Sequence, residues 1–175
     1  MKRTIAILTT ILFLFTTTIS AQTTLKEFKV GHIFYVSLPD YMSKTTGIND
    51  AANVQFKNSV KDVYCMIFED YKEDLELVQM KFSSINDYYE NFIKDFLVKE
   101  KKKNISQPVS QTIGDNKFIE CDATYYDKDV KGEVYYFVGI VETKAAFYKV
   151  YCFGNLEAKD KYKADFQKIL YSLKD

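Results

Sequence analysis

The chain has 175 residues, 47% hydrophobic and 16% aromatic, with 24 basic and 24 acidic side chains and a formal net charge of zero. That balance excludes a protein living on phosphate backbones, which draws its affinity from a strong basic excess and counterion release, and it disfavours an anionic membrane surface for the same reason. The 14 Tyr and 14 Phe, interrupted by only six Gly and two Pro, exclude a disordered chain and point to a β-rich globular domain.

At the start of the chain, Lys2 and Arg3 precede an apolar run from Thr4 to Phe15, and Ile19-Ser20-Ala21 supplies a small residue for signal peptidase. The run is too short for a spanning helix of about 20 residues, so residues 1–21 are expected to be a cleaved signal peptide. Cleavage is expected before Gln22. The first cysteine is Cys65, so no lipid-anchoring cysteine stands at the cleavage point, and a periplasmic or secreted protein without a membrane anchor is expected. Residues 22–175 suit one domain, and with Lys2 and Arg3 removed they carry 22 basic against 24 acidic side chains, a net of −2.

Phe28 to Val30, a turn at Gly31-His32, and Ile33 to Leu38 read as a hairpin in which Phe34, Val36 and Leu38 alternate with Tyr35 and Ser37. Pro39 stops it. Asp40 to Asp50 reads as a loop, and Ala51 to Lys57 resumes the alternation. A turn near Asn58-Ser59 leads to a strand from Val63 to Phe68, expected to pair with its predecessor. Glu69 to Glu76 reads as a polar, acidic connection. Ser84 with Asp87 forms a helix start, and Ile85, Tyr88, Tyr89, Phe92 and Phe96 follow helical spacing, with lysines 99 and 101–103 at the end where cations suit the dipole.

After Pro108 a second β block is expected. It comprises Val109 to Ile113, a turn at Gly114 to Asn116, Lys117 to Tyr126, a turn at Asp127 to Gly132, Glu133 to Glu142, and Ala145 to Phe153. Hairpin-length connections make this an antiparallel meander. Gly154-Asn155 ends it, and a final helix carries Tyr162, Phe166, Ile169, Leu170 and Leu173 on one face. The order predicts an α+β domain, with a central antiparallel sheet of about six to eight strands and helices packed on it.

Three cysteines leave at least one thiol free in a monomer. Cys65, Cys121 and Cys152 each sit in a strand-like run and read as buried small hydrophobes. In the expected meander Cys121 and Cys152 lie two strands apart, about 9.5 Å at the usual spacing, beyond the roughly 7 Å limit between disulfide Cα atoms, so both are expected to stay free.

Three segments carry a resemblance to a known family. These are Phe34 to Tyr41 (FYVSLPDY), Asn49 to Phe56 (NDAANVQF) and Phe166 to Leu173 (FQKILYSL). In these and in element order the chain resembles the PsbP-like superfamily, which includes the photosystem subunit PsbP, a nuclear Ran-binding protein of the Mog type and many short exported bacterial proteins. The resemblance implies an α/β/α sandwich over residues 22–175 and a non-catalytic binding or assembly module. It carries over no functional residue. The metal positions of the photosystem subunit draw on a histidine, and the single one here is His32, in a tight turn.

Candidate chemistry is sparse. His32 stands alone without C-x-x-C, H-E-x-x-H or G-x-S-x-G, which argues against a zinc centre or a triad. Glu69, Asp70, Glu73, Asp74 and Glu76 do not match a calcium loop and read as solvated, and Asp127 and Asp129 sit where turns favour Asp. Lysines 99 and 101–103 offer either a patch for an acidic partner or a solvated helix end. Gly139 inside a strand marks a bulge, a close approach, or room under a helix. Tyr125-Tyr126 and Tyr135-Tyr136 put an aromatic on each sheet face, to be covered by helices or left as an exposed aromatic surface. No catalytic, metal or cofactor residue is assigned. The expected role is protein–protein binding in the envelope or outside the cell. The alternative is a carrier of a small apolar ligand in an aromatic pocket between the sheet and the helix at Ser84 to Lys101.

Overall fold

A computed structural model describes residues 23–31 and 33–175. The signal peptide expected over residues 1–21 and the turn residue His32 lie outside the described residues. The elements are β1 (Leu25–Val30), β2 (Phe34–Pro39), β3 (Ser43–Thr45), β4 (Val54–Asn58), β5 (Val63–Tyr71), α1 (Lys72–Leu77), α2 (Ile85–Asp95), β6 (Asn104–Ile105), β7 (Val109–Ile113), β8 (Asn116–Asp127), β9 (Gly132–Glu142), β10 (Ala146–Asn155) and α3 (Ala158–Tyr171).

The sheet is antiparallel, in the order β3-β4-β5-β10-β9-β8-β6, with β7 also paired to β8, while β1 and β2 form a separate two-stranded ribbon. The meander and the β4–β5 pairing are as the alternation predicts. Turn chemistry fixes the register. Asn58 Oδ1 accepts the Lys61 amide at 2.8 Å between β4 and β5, and Asp127 Oδ1 accepts the amides of Asp129 and Val130 at 2.7 and 3.2 Å between β8 and β9. Gly114 takes φ 60° in the β7–β8 turn, a conformation that a side chain would strain.

Both sheet faces are packed. On the first, α3 and the ribbon bury Phe34, Val36, Leu38, Phe166 and Ile169 against Phe56, Tyr148 and Val150. The ribbon is tied down by Lys174, whose carbonyl and amide pair with the amide and carbonyl of Tyr35 at 2.7 and 3.1 Å. Gly139 lies under α3, where a Cβ would stand 2.4 Å from Leu170 Cδ1, so room under the helix is the reason for its missing side chain. On the second face, α2 lays Ile85, Tyr88 and Tyr89 on Ile119, Cys121, Val138, Ile140 and Phe147. Each such fully buried side chain is worth roughly 1.5–3 kcal/mol of transfer free energy. Ser84 caps α2 by accepting the Asp87 amide, and Asp87 in return accepts the Ser83 amide at 3.0 Å.

The structure departs from the sequence pattern in three places. The acidic stretch is not all loop: β5 runs on to Tyr71, and Lys72–Leu77 is a short helix with Glu73 and Asp74 favoured in its first turn. Helix α2 stops at Asp95, because Phe96 leaves helical geometry to pack on Tyr136 and Tyr151, and the lysines that follow have like-charged neighbours rather than helical ion pairs. The short strands β3 and β6 carry too few residues to alternate.

Candidate functional site

Covering of the second face is incomplete. Beyond Phe96, four strands each present one ring on the uncovered half: Tyr64 from β5, Phe153 from β10, Tyr136 from β9 and Tyr125 from β8. Register explains the row, since Tyr64 opposes Phe153 and Phe153 opposes Tyr136, while Tyr125 stands diagonal to Tyr136. Ring centroids are 5.0 Å apart for Tyr64–Phe153, 4.8 Å for Phe153–Tyr136 and 6.1 Å for Tyr136–Tyr125, the first two pairs stacked with interplanar angles of 16° and 19°. Phe96 closes one end, edge-on to Tyr136 at 5.7 Å.

Over this row lies a cavity of about 670 Å³. Its floor includes Met66 and Val134, and its rim carries Asp62, Asp127 and Glu133 with the exposed Val130; no Lys or Arg lines it. The Tyr64 hydroxyl donates to Asp62 Oδ1 at 3.1 Å, and the Tyr125 hydroxyl to Asp127 Oδ2 at 3.0 Å. Burial raises both phenols above their ordinary range, aided by Asp62 at Tyr64 and by Tyr136 and Asp127 at Tyr125, so they remain donors at neutral pH. The amides of Val130 and Asp129 hold the Asp127 carboxyl below the usual range. The site thus combines flat apolar rings with fixed negative charge. Such a surface suits a ligand with planar or aliphatic groups and a cationic tip, which gains both from the carboxylates and from ring faces.

The other candidates fall elsewhere. Glu69 and Asp70 point to opposite faces of β5, Glu69 accepting from Tyr148 at 3.0 Å and Asp70 from Tyr88 and from Lys149 at 2.7 Å, so they form no carboxylate pair. Among the described residues no three His, Cys, Asp or Glu side chains converge to hold a metal ion. Tyr135 and Tyr136 divide as the strand period requires. Tyr135 is buried on the first face, donating to Asp122 at 2.7 Å, and Tyr136 lines the groove. The lysine run lies after the end of α2, with Lys102 over the Tyr126 ring at 5.4 Å. The contact between α2 and the sheet is filled by core side chains, and the groove lies beside that helix, not beneath it. No helix of the described residues is long and apolar enough to cross a membrane.

Sequence reasoning singled out Tyr125 and Tyr136 but neither Tyr64 nor Phe153, and not the row. Its members are widely separated in sequence, and only the register of four strands brings them together.

Comparison with solved structures places this architecture. The cyanobacterial PsbP protein CyanoP from Synechocystis sp. PCC 6803 superposes with a TM-score of 0.62 at 10% identity, over 92% of this chain and 98% of that one. The fold is PsbP-like. Two further structures match less closely. One is LpqN of Mycobacterium tuberculosis, involved in cell envelope biogenesis, with a TM-score of 0.49 at 7% identity over 87% of this chain and 90% of that one. The other is PA94 of Pseudomonas aeruginosa, of unknown function, with a TM-score of 0.48 at 7% identity over 82% of this chain and 92% of that one. No protein-family model matches the chain, and no curated protein matches it.

Proposed function

We propose that the protein is an exported, non-catalytic binding module that holds a basic segment of an envelope or extracellular partner protein in the groove over Tyr64, Phe153, Tyr136 and Tyr125. The observation that carries this reading is the charge pattern. Two carboxylates, Asp62 and Asp127, sit at the groove's phenols and no cation lines it, while its floor offers ring faces to a Lys or Arg side chain.

A photo-reactive side chain in place of Val130, which is 68% exposed on the rim, tests this reading in cells producing the protein. One discrete protein adduct is expected, with a contact peptide rich in Lys or Arg, lost when Tyr64→Ser and Tyr136→Ser are combined. The same adduct from Val109, exposed on the far edge of the sheet, or no adduct at all, argues against the groove as the binding surface.

A second reading, a carrier of a small apolar ligand, is favoured by one observation: the 670 Å³ volume lies within the range of ligand pockets, about 300–1,000 Å³. Organic extraction of protein purified from its natural compartment, followed by mass spectrometry, separates the two. A stoichiometric apolar compound supports the carrier.

A further inference from the structure

We propose that Cys65 and Cys152 form a disulfide across the central strand pair of the sheet. All three cysteines are free, buried thiols in the structure, as expected for Cys121 and Cys152, but Cys65 and Cys152 are Cα partners in the β5–β10 ladder and both lie fully buried under α3 and the ribbon. Their place in the ladder follows from its hydrogen bonding. The Lys72 amide donates to the Ala145 carbonyl at 3.0 Å, one step beyond the Tyr71–Ala146 pair, and the register then runs unbroken to Val63–Gly154. Hydrogen-bonded and non-hydrogen-bonded pairs alternate along an antiparallel ladder, so Cys65 and Cys152 occupy a non-hydrogen-bonded position. There opposed Cα atoms stand about 4.5 Å apart, inside the 4.4–6.8 Å span that disulfides bridge.

The third cysteine does not compete. Cys121 lies on the other face of the sheet, under α2, and β9 separates its strand from β10. It is the odd thiol that a count of three requires.

The chemistry is thiol–disulfide exchange. The thiolate of one cysteine attacks an external disulfide, that of a thiol–disulfide oxidoreductase or a small-molecule disulfide, forming a mixed disulfide and releasing one thiolate. The second cysteine's thiolate then attacks the mixed disulfide, the protein S–S bond forms, and the second external sulfur leaves. The protein loses two protons and two electrons, and the external disulfide is reduced to two thiols. Burial pushes the Cys152 thiol well above its usual range, so exchange runs while the strands are still open, before the core closes over them. The leader expected over residues 1–21 would deliver the chain to a compartment where such oxidants act. The bond would fasten β3-β4-β5 to the β8–β10 meander at their one junction in the sheet, and would close a long loop containing both α1 and α2.

The full chain, refolded from denaturant in a glutathione redox buffer, is treated with a maleimide under denaturing, non-reducing conditions and digested. One labelled thiol, Cys121, and a peptide pair joining Cys65 to Cys152 are expected. The Cys121→Ala variant keeps the link, and reduction of the wild type lowers Tm by about 10 °C. The Cys152→Ala variant has two labelled thiols and a Tm indifferent to reductant. Three labelled thiols in the refolded wild type, or a link that includes Cys121, would overturn the proposal. The thiol count of the wild type decides the matter even if Cys152→Ala does not fold.

Discussion

Asp122 illustrates how single polar side chains are settled in this sheet. It sits on β8 facing α3, with its side chain 13% exposed, accepting from Tyr135 at 2.7 Å and Lys163 at 2.7 Å, with Lys159 at 3.6 Å. Burial alone would raise its pKa, but the hydrogen bonds from Lys163 and Tyr135 and the two lysine charges more than offset that, and the carboxyl lies below its ordinary value. A folded pKa held below the unfolded one means stability present above the unfolded value of about 3.9 and lost as pH falls through the folded one. Asp122→Asn is therefore expected to lose about 2 kcal/mol at neutral pH and to flatten the decline in denaturant midpoint below about pH 4; an unchanged acid limb would show that the pair contributes nothing. None of this was legible beforehand, because Asp122 reads in sequence as one acid in an alternating strand. The thiols differ: their burial was readable from the apolar runs around them, while the placement of Cys65 opposite Cys152 was not, because nothing local says that β5 lies beside β10.

At the scale of elements, the alternating strands of the meander and the periodic stripe of α2 were readable because each buries a face that its own spacing announces. The end of α2 was not, since it is decided by Phe96 turning to meet Tyr136 and Tyr151 from distant strands. The packing of α3 offers a sharper test. Gly139→Ala places a methyl group where Leu170 stands and is expected to cost about 1–3 kcal/mol, measured by urea unfolding. Combining it with Leu170→Val should recover part of that loss, a coupling of opposite sign to the single effects. At the other helix, Ser84→Ala removes the cap accepting the Asp87 amide and is expected to cost about 1 kcal/mol, seen as lower helical signal and an earlier thermal midpoint.

Over the whole molecule, the aromatic load noticed first in the composition becomes a property of the fold. Burial lifts the phenols of Tyr88, Tyr135 and Tyr148 above their ordinary range, and hydrogen bonds to Asp70, Asp122 and Glu69 add to it. A raised folded pKa leaves stability intact below the unfolded value near 10 and removes it as pH climbs through the folded one. Alkaline titration is thus expected to leave Tyr88, Tyr135 and Tyr148 protonated past the ordinary phenol range, and to ionise them only together with loss of the near-ultraviolet circular dichroism. If all 14 ionise near pH 10 while that signal persists, the phenols are not held as the structure has them. The fold class was legible because strands and helices announce themselves locally. The groove was not, because it is the part of one sheet face that no helix reaches.

The ribbon of β1 and β2 has a consequence in time. It packs on the sheet and on α3 and is pinned by Lys174 to Tyr35, so the seat of the first strands is complete only once the last helix exists. A growing chain therefore completes the packing of its first segments only late in synthesis.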